Sequence, residues 1–207
     1  GIVHSELLRR PGKLYVLASH FHPDHFNKEV LQWREQRPDI IYIFSKDILR
    51  HRRAQKEDAV WLKKGEEYKD ETLSVRAFGS TDVGVSFLLQ ASGKKIFHAG
   101  DLNNWHWMDE STEAEWKGAE KNFLHELDDL YAYTPEVDVA MFPVDPRLGK
   151  EYMRGAGQFV TKIKTHIFVP MHFTPEYAKA NAFRDFAEAH GVRFVSLTHR
   201  GQKIEIE

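Results

Sequence analysis

The chain has 207 residues, of which 42% are hydrophobic and 29% are charged, and its formal net charge at pH 7 is −2. This composition is typical of a globular protein, and we expect residues 1–207 to form a single domain. The charge gives no reason to expect nucleic acid as a partner, no run approaches the roughly 20 apolar residues of a membrane span, and the lack of cysteine excludes disulfides and thiolate metal ligands.

The first part of the chain alternates apolar runs of strand length with helical segments. Residues 13–19 read as a short strand, and residues 27–38 have apolar side chains at roughly helical spacing and end at a proline. The β-branched and aromatic run at 39–45 predicts a second buried strand, and residues 46–55 predict a short basic helix. A layered arrangement of strands and helices begins here.

Consecutive strand-like runs follow in the middle of the chain, separated by short turn-forming segments. The runs cover residues 59–70, 72–79, 83–90 and 94–100. Their short connections predict an antiparallel meander.

Helices return in the last part of the chain and alternate with further strands. The segment 111–133 opens with a capping-box pattern in which Ser111 or Thr112 precedes Glu115, and this predicts a helix. Strands and helices that alternate in this way predict a layered α/β architecture. The remaining predicted elements are a strand at 137–145, a helix at 156–164, a strand at 166–173, a helix at 174–191, a strand at 193–199 and an edge strand at 202–207.

The segment SHFHPDHF at 19–26 places His20, His22, Asp24 and His25 directly after the first predicted strand. A lone histidine is usually a surface or core residue, but three histidines and an aspartate in six positions are typical of a metal site. Imidazole and carboxylate groups bind zinc, iron or manganese in a protein without thiols. A loop that leaves a strand end can turn successive side chains toward one point, whereas a continuing strand alternates them between its faces.

Two more potential ligands end predicted strands. Asp101 follows KIFHAG, and His172 ends the run HIFVPMH. Considered alone, Asp101 is also consistent with a residue that caps a turn, and His172 with a core residue. Their shared position at strand ends, where open α/β sheets place their sites, favours a joint metal site with the histidine loop.

These three motifs resemble those of a known family. HFHPDH matches the HxHxDH signature of the metallo-β-lactamase superfamily, and FHAGD and VPMHF resemble its aspartate and last histidine motifs. The HAGD and PMH segments read like those of the ascorbate-phosphate lactonase-like branch. The resemblance implies a four-layered αββα sandwich with two metal ions at one edge of the paired sheets.

The resemblance also implies a ligand set and a reaction. His20 and His22 would bind one divalent ion, Asp24, His25 and His172 would bind a second, and Asp101 would bridge the two. Zinc is the expected metal, with manganese and iron as alternatives. The expected function is hydrolysis of a small-molecule ester, lactone or phosphate-containing substrate by a metal-activated water, with Asp24 orienting the nucleophile and returning a proton to the leaving group.

Two features depart from the family pattern. The loop after LSVRAFG reads GSTDVG and lacks the usual histidine, so Asp82 either substitutes as an oxygen ligand or only shapes the turn. This departure keeps a non-catalytic metal-binding protein as an alternative, beside a nuclease or phosphodiesterase of the same superfamily. Only 19 residues precede His20, so we expect the sandwich to lack its first N-terminal strands.

The sequence says less about the substrate than about the metal site. Arg147 is a candidate to clamp a carboxylate or phosphate, or else it pairs with Asp145 as a loop lock. Trp105 and Trp107 either wall a substrate pocket or pack the loop against the core. We expect a small-molecule substrate, no nucleic-acid or membrane partner and a cytoplasmic location, because the N-terminus lacks a signal-peptide apolar core. Homo-oligomerisation is left open.

Overall fold

A computed structural model describes residues 5–205 of the chain. Within that range the chain forms the ten strands β1 Tyr15–Ala18, β2 Ile41–Ser45, β3 Val60–Leu62, β4 Glu67–Lys69, β5 Ser74–Phe78, β6 Ser86–Ala91, β7 Lys94–His98, β8 Glu136–Pro143, β9 Lys164–Met171 and β10 Arg193–Phe194. The α-helices there are α1 Ser5–Leu8, α2 Lys46–Arg50, α3 Glu113–Tyr133, α4 Arg154–Lys162, α5 Tyr177–Asn181 and α6 Arg184–Ala189. Shorter 3-10 helices cover Lys28–Glu35, Lys56–Asp58 and Pro146–Glu151.

The strands form two sheets. The first has the order β1-β2-β3 and is parallel throughout. The second has the order β10-β9-β8-β7-β6-β5-β4, with β4 to β7 antiparallel and β7 to β10 parallel. Within the described residues β1 lies at the edge of its sheet, and the expectation about strands before it stays a prediction.

Side chains alternate between the two faces of each sheet and thereby define four layers. In β2, Phe44 faces a cluster with residues of the first 3-10 helix, whereas Ile43 faces the second sheet together with Val75 and Phe87. In β8, Phe142 packs under the helices α3 and α4, and Val139 points to the opposite face. Helices therefore cover the outer face of each sheet, which confirms the predicted αββα sandwich.

The outer layer of the second sheet is built mainly from α3 and α4. The capping box predicted at the start of α3 is present, because Thr112 and Glu115 bond to each other's backbone amides. Phe123 and Leu127 of α3 are fully buried between the helix and the second sheet. Although α3 has 21 residues, it is amphipathic, and none of the helices among the described residues has the length and apolar character that crossing a bilayer needs.

The predicted strand at 59–70 is wrong as a single element. It divides into Val60–Leu62, which pairs with β2 in the first sheet, and Glu67–Lys69, which pairs with β5 in the second. The chain turns between them at Gly65, whose φ of 88° favours glycine. The meander therefore begins at β4, and the segment connects the two sheets.

Within the helical segment predicted at 27–38, residues Lys28–Glu35 form a 3-10 helix. Val30 and Trp33 both pack against the first core cluster, and they are three positions apart, which is the period of a 3-10 helix. Asn27 caps this helix by accepting a hydrogen bond from the amide of Glu29 at 3.0 Å. A short 3-10 helix on the surface, with one narrow apolar stripe, therefore produces the same spacing of apolar residues as the predicted helix.

The C-terminal elements are shorter than predicted. The strand β10 stops at Phe194, although the Val195 amide still bonds to the Phe168 carbonyl at 2.9 Å. Further along, the side chain of Asn181 bonds to the carbonyl and the amide of Leu197, at 2.8 and 3.1 Å, so these backbone groups have a side-chain partner in place of a strand. The same contact marks the end of α5, which divides the helix predicted at 174–191. The side chain of Gln202 folds back onto Ser196, and residues 202–205 form no strand; residues 206–207 of the predicted edge strand lie outside the described residues.

The topology brings several loops to one edge of the sandwich. Strands β5, β7, β8 and β9 run in the same direction, so the loops that follow them lie at the same edge of the second sheet. The loop after β1 meets them there, because the Val85 amide donates a hydrogen bond to the Ser19 carbonyl at 3.0 Å. This edge is where functional groups of open α/β sheets gather.

At the opposite edge, the carboxylate of Asp70 joins the two sheets. It accepts hydrogen bonds from the hydroxyl of Tyr15 in β1 at 2.7 Å and from the hydroxyl of Tyr68 in β4 at 3.0 Å. Lys13 contacts the same oxygen at 2.9 Å. Burial alone would raise the pKa of Asp70, but these donors and the amides of the following turn outweigh it and hold the pKa well below its usual range.

We expect Asp70→Asn to lower the melting temperature at neutral pH, because the amide lacks the charge that these donors stabilise. The pKa of Asp70 is depressed in the folded state, so its contribution is present above about pH 4, the value for an unfolded aspartate, and is lost as the pH falls below it. Thermal unfolding from pH 7 to pH 2 should show the wild type and the variant converging in acid.

Glu71→Gln is the matched control for Asp70→Asn. Glu71 also pairs with Lys13 but has an exposed side chain and is not bonded to either tyrosine. A loss in this control as large as that of Asp70→Asn would show that the lysine pairing, and not the junction of the sheets, carries the effect.

Candidate metal centre

Asp101 lies at the middle of a cluster of histidines at the loop edge. The residue is 5% exposed and follows β7 through Ala99 and Gly100. Its Oδ1 lies 3.0 Å from Nε2 of His25 and 3.4 Å from Nε2 of His172. Its Oδ2 lies 3.3 Å from Nε2 of His20.

The three rings keep the Asp101 carboxylate ionised. Burial by itself would raise its pKa, but His172, His20 and His25 outweigh burial and hold the pKa of Asp101 well below its usual range. A buried anion surrounded by imidazole nitrogens is a strong ligand for a cation.

The loop after β1 turns two of these histidines inward. His20 is fully buried, and the amides of His25 and Phe26 both bond to the His22 carbonyl, at 3.0 and 2.8 Å. This tight turn places the His25 ring 4.0 Å from the His20 ring, measured between centroids. The hydroxyl of Ser19 lies 3.0 Å from Nδ1 of His20 and 3.4 Å from Nδ1 of His25, so it orients both rings with their Nε2 atoms toward Asp101.

Two glycines allow the neighbouring loops to approach Ser19. Gly84 has a φ of 75°, and a Cβ there would lie 2.0 Å from the Ser19 carbonyl oxygen. Gly100 has a φ of 56°, and its Cβ would lie 2.9 Å from the Ser19 Cβ. Any other residue at these positions would push apart the loops that carry His20 and Asp101.

His172 is fixed by a second carboxylate. It has a φ of 63°, which is rare for a residue other than glycine and is typical of functional sites. Its Nδ1 lies 3.0 Å from Oδ2 of the fully buried Asp145, which leaves Nε2 directed at Asp101. Burial would lower the pKa of His172, but Asp101 and Asp145 outweigh it and raise the pKa to about 9.

Asp145 is held in turn by Arg147. The arginine Nε lies 3.0 Å from both carboxylate oxygens, and its Nη2 lies 2.6 Å from Oδ2. Burial would raise the pKa of Asp145, but His172 and Arg147 outweigh it and lower the pKa to about 2. Arg147 therefore forms the loop lock, and its bidentate fork is engaged by Asp145.

The remaining candidate ligands surround this core. Asp24 is exposed, and its Oδ2 lies 3.5 Å from Nε2 of His25. Nδ1 of His22 lies 3.9 Å from Oδ2 of Asp82, in the loop between β5 and β6. Ligand atoms lie within 4.8 Å of one another in each of three groups, which are His20, His25 and Asp101; Asp24, His25 and His172; and His22, Asp82 and Asp101.

The donor set fits a divalent cation. Nε2 of His20 and Oδ1 of Asp101 are buried and have no hydrogen-bond partner among the described residues, although histidine and carboxylate atoms lie close to them. Such orphaned atoms are costly unless something binds them. Imidazole nitrogens and carboxylate oxygens are the ligands of zinc, iron and manganese.

A cleft of about 240 Å³ opens directly onto this cluster. The indole of Trp105 donates a hydrogen bond to the Asp101 carbonyl at 2.8 Å, and its ring meets the His172 ring edge-on at 5.4 Å. Trp107 stacks on Trp105 with 6.4 Å between centroids, so the two indoles both pack the loop and wall the cleft. The lining residues are Thr81, Asp82, Asp101, Trp105, Trp107, Arg147 and His172.

All six residues predicted as metal ligands gather at this edge, and Asp82 joins them. Sequence reasoning missed the roles of Ser19 and Asp145 in orienting the histidine rings. A serine beside a histidine is too common to signal such a role, and Asp145 shows it only once the fold places it against His172. His106 is not part of the cluster, because its two nitrogens bond to the Glu151 carbonyl and the Met108 amide.

Comparisons with known proteins agree with this fold. A family model described as the beta-lactamase superfamily domain matches residues 6–173. The structure resembles Igni18, a metallo hydrolase from Ignicoccus hospitalis, with a TM-score of 0.60, 16% identity and coverage of 89% of this chain and 76% of that one. It resembles the metallo-beta-lactamase fold protein YhfI from Bacillus subtilis with a TM-score of 0.55 and 12% identity, covering 88% of this chain and 75% of that one.

The similar structures include a protein of different chemistry. CmlA, a diiron beta-hydroxylase from Streptomyces venezuelae, has a TM-score of 0.58 and 13% identity, covering 91% of this chain and 44% of that one. No curated protein matches the sequence significantly. The ascorbate-phosphate lactonase-like branch is not distinguished by any of these matches and stays a prediction. The family match over 6–173, together with the αββα layers and the histidine and aspartate cluster at one sheet edge, shows that this chain belongs to the beta-lactamase superfamily and has the metallo-β-lactamase fold.

Proposed function

We propose that the chain is a metal-dependent hydrolase of a small-molecule ester, lactone or phosphate-containing substrate. The observation that carries the proposal is the cluster of imidazole and carboxylate donors around Asp101, which opens onto a cleft of about 240 Å³. A cleft of this size is slightly smaller than the range of about 300–1,000 Å³ that is usual for small-molecule sites, so it fits a small substrate or one that is partly exposed to solvent. Four histidines and up to three carboxylates supply the ligands, namely His20, His22, His25, His172, Asp24, Asp82 and Asp101.

The residues around the centre determine where a cation would be held. Zinc is the metal we propose first, with manganese and iron as alternatives. A bound divalent cation supplies Lewis acidity and makes water a stronger nucleophile near neutral pH. Ser19 and Asp145 hold the histidine rings in place for this role, and the two tryptophans shield one side of the cleft from solvent.

Asp24 is the proposed proton carrier. Its carboxylate is 69% exposed, so it is accessible to water and substrate, and it lies 3.5 Å from the His25 ring. A carboxylate at this point can accept a proton from the attacking water and return it to the leaving group. The carboxylate of Asp101 is buried and engaged by three histidines, so it is less suited to exchange protons.

We expect Asp24→Asn to lower the hydrolysis rate by about 10²–10⁴-fold, because the amide keeps the shape but cannot carry the proton. Initial rates should be measured at saturating metal, with metal content by mass spectrometry and folding by circular dichroism. Asp128→Asn, which changes an exposed carboxylate on α3, is the matched control and should keep the wild-type rate. Near-normal turnover by a folded, metal-loaded Asp24→Asn protein would remove Asp24 from the mechanism.

The cleft also supports a proposal about the substrate. Arg147 lines it with a side chain that is 59% exposed, and Asp145 engages only its Nε and Nη2. Among the described residues no hydrogen bond engages Nη1, so this group can donate one to an anionic substituent. Trp105 and Trp107 provide an apolar wall beside it. We therefore propose a substrate that carries a carboxylate or phosphate close to the cleaved bond.

Arg147→Gln should weaken the use of an anionic substrate more than that of a neutral one. A hydrogen bond to a charged group contributes about 1.5–3 kcal/mol, so we expect kcat/KM for an aryl ester bearing a carboxylate to fall by about 10–100-fold. The fall in kcat/KM should be smaller for the neutral methyl-ester analogue. For that substrate, the variant loses only the hydrogen bonds by which Arg147 holds Asp145 in place. Equal losses for the two substrates would contradict the anion-binding role, and Arg200→Gln serves as the charge-matched control.

A substrate panel tests the hydrolase proposal as a whole. Lactones, aryl esters, phosphomonoesters and a generic phosphodiester should be assayed with zinc, manganese and iron, with bound metal quantified in parallel. Metal-dependent turnover of a small ester or lactone is the expected result. Preference for the phosphodiester would favour the alternative of a nuclease or phosphodiesterase, and bound metal without any turnover would favour a non-catalytic metal-binding protein.

A further inference from the structure

The loop of residues 79–85 carries Asp82 without using its carboxylate to shape the turn. A turn-forming aspartate normally accepts a hydrogen bond from a nearby backbone amide. Among the described residues no donor bonds to the Asp82 carboxylate, and its nearest partner is Nδ1 of His22, 3.9 Å away. The turn is instead held by Ser80, whose hydroxyl accepts a hydrogen bond from the Asp82 amide at 3.4 Å.

The loop is fixed on both sides of Asp82 to the segments that carry the other ligands. The hydroxyl of Thr81 donates to the Asn103 carbonyl at 2.5 Å and accepts from the Asn103 amide at 3.0 Å, just beyond Asp101. On the other side, the Val85 amide bonds to the Ser19 carbonyl at 3.0 Å, just before His20. The position of Asp82 is therefore set by the same segments that position Asp101 and His20.

The distances around Asp82 fit a shared cation better than a direct contact. The separation of 3.9 Å from His22 is too long for a hydrogen bond. It is shorter than about 4.2 Å, which is twice the usual bond between zinc and a nitrogen or oxygen ligand. Ligand atoms of His22, Asp82 and Asp101 all lie within 4.8 Å of one another.

We propose that Asp82 is a carboxylate ligand of one cation of the centre, together with His20, His22 and the shared Asp101. The inference rests on the proposed metal-dependent function and deepens it. His22, Asp82 and Asp101 lie within 4.8 Å of one another, and Nε2 of His20 lies 3.3 Å from Oδ2 of Asp101, so that position would have two imidazole and two carboxylate ligands. The second group, Asp24, His25 and His172, also includes a carboxylate. Carboxylate oxygens suit manganese better than imidazole nitrogens do, so this chain should accept manganese at both positions.

The experiment measures manganese binding directly and needs no substrate. Metal-free protein of residues 1–207, with folding verified by circular dichroism, is titrated with MnCl₂ by calorimetry and by electron paramagnetic resonance. We expect the wild type to bind two ions per chain and to give the spectrum of a spin-coupled pair. Asp82→Ala and His22→Ala should each bind one ion tightly and give an uncoupled spectrum, because they remove ligands from the same position.

Two further variants sharpen the assignment. Asp82→His keeps a ligand but exchanges oxygen for nitrogen, so it should still bind two ions and should shift the preference from manganese toward zinc relative to the wild type. Asp128→Ala, on the outer face of α3, should leave both the stoichiometry and the coupled spectrum unchanged. If Asp82→Ala fails to fold, Asp82→Asn takes its place, with a weakened second ion as the expected result.

The outcomes separate this inference from the proposed function. Two coupled ions in folded Asp82→Ala, or a second ion bound by Asp82→Asn as tightly as by the wild type, would overturn the role of Asp82 and leave the metal-dependent function intact. A wild type that binds only one ion would do the same. A wild type that binds none of manganese, zinc or iron would overturn both.

Discussion

The contact between the buried Asp101 carboxylate and three histidine rings is the constraint on which the metal centre depends. These rings come from the loop after β1 and from the end of β9, which lie far apart in the sequence and in different sheets. Bringing them to one carboxylate requires the two sheets to pack face to face with their loop edges aligned. The αββα arrangement meets this requirement, and Ser19 and Asp145 then set the rotation of each ring.

The location of the centre could be predicted from the sequence because its ligands follow strand ends. Histidines and aspartates that directly follow apolar runs can be recognised in the sequence, and parallel strands bring such positions to one sheet edge. A layered α/β architecture was also predictable, since the apolar runs of the strands and the capping box of α3 are local signals. The αββα order of the layers came from the resemblance to a known family. The comparison with a known family supplied the pairing of the two sheets.

Features that depend on contacts between distant residues could not be predicted. The division of residues 59–70 into strands of different sheets follows from which neighbour each half finds, and Gly65 alone does not reveal it. The pairing of the Leu197 backbone with the distant Asn181 side chain, in place of a strand, is likewise invisible in the sequence. For Asp82, the roles of ligand and of turn former were equally consistent with the sequence. The ligand role is favoured by two structural observations: no donor bonds to its carboxylate among the described residues, and it lies close to His22 and Asp101.

The hydrogen bonds to Asp70 lie at the opposite edge of the sandwich from the metal cluster, and this separation has a consequence for how the protein can vary. Strain at the metal edge, such as the left-handed backbone of His172, is tolerated because the sheets are also joined at the other end, by Tyr15 and Tyr68. Changes in the loops at the metal edge therefore need not be matched by changes in the scaffold. Under the proposed function, a lineage of such proteins could acquire new substrates by altering residues such as Trp105 and Arg147 while its tyrosine and aspartate junction stayed the same. Activity and robustness would then diversify independently within one fold.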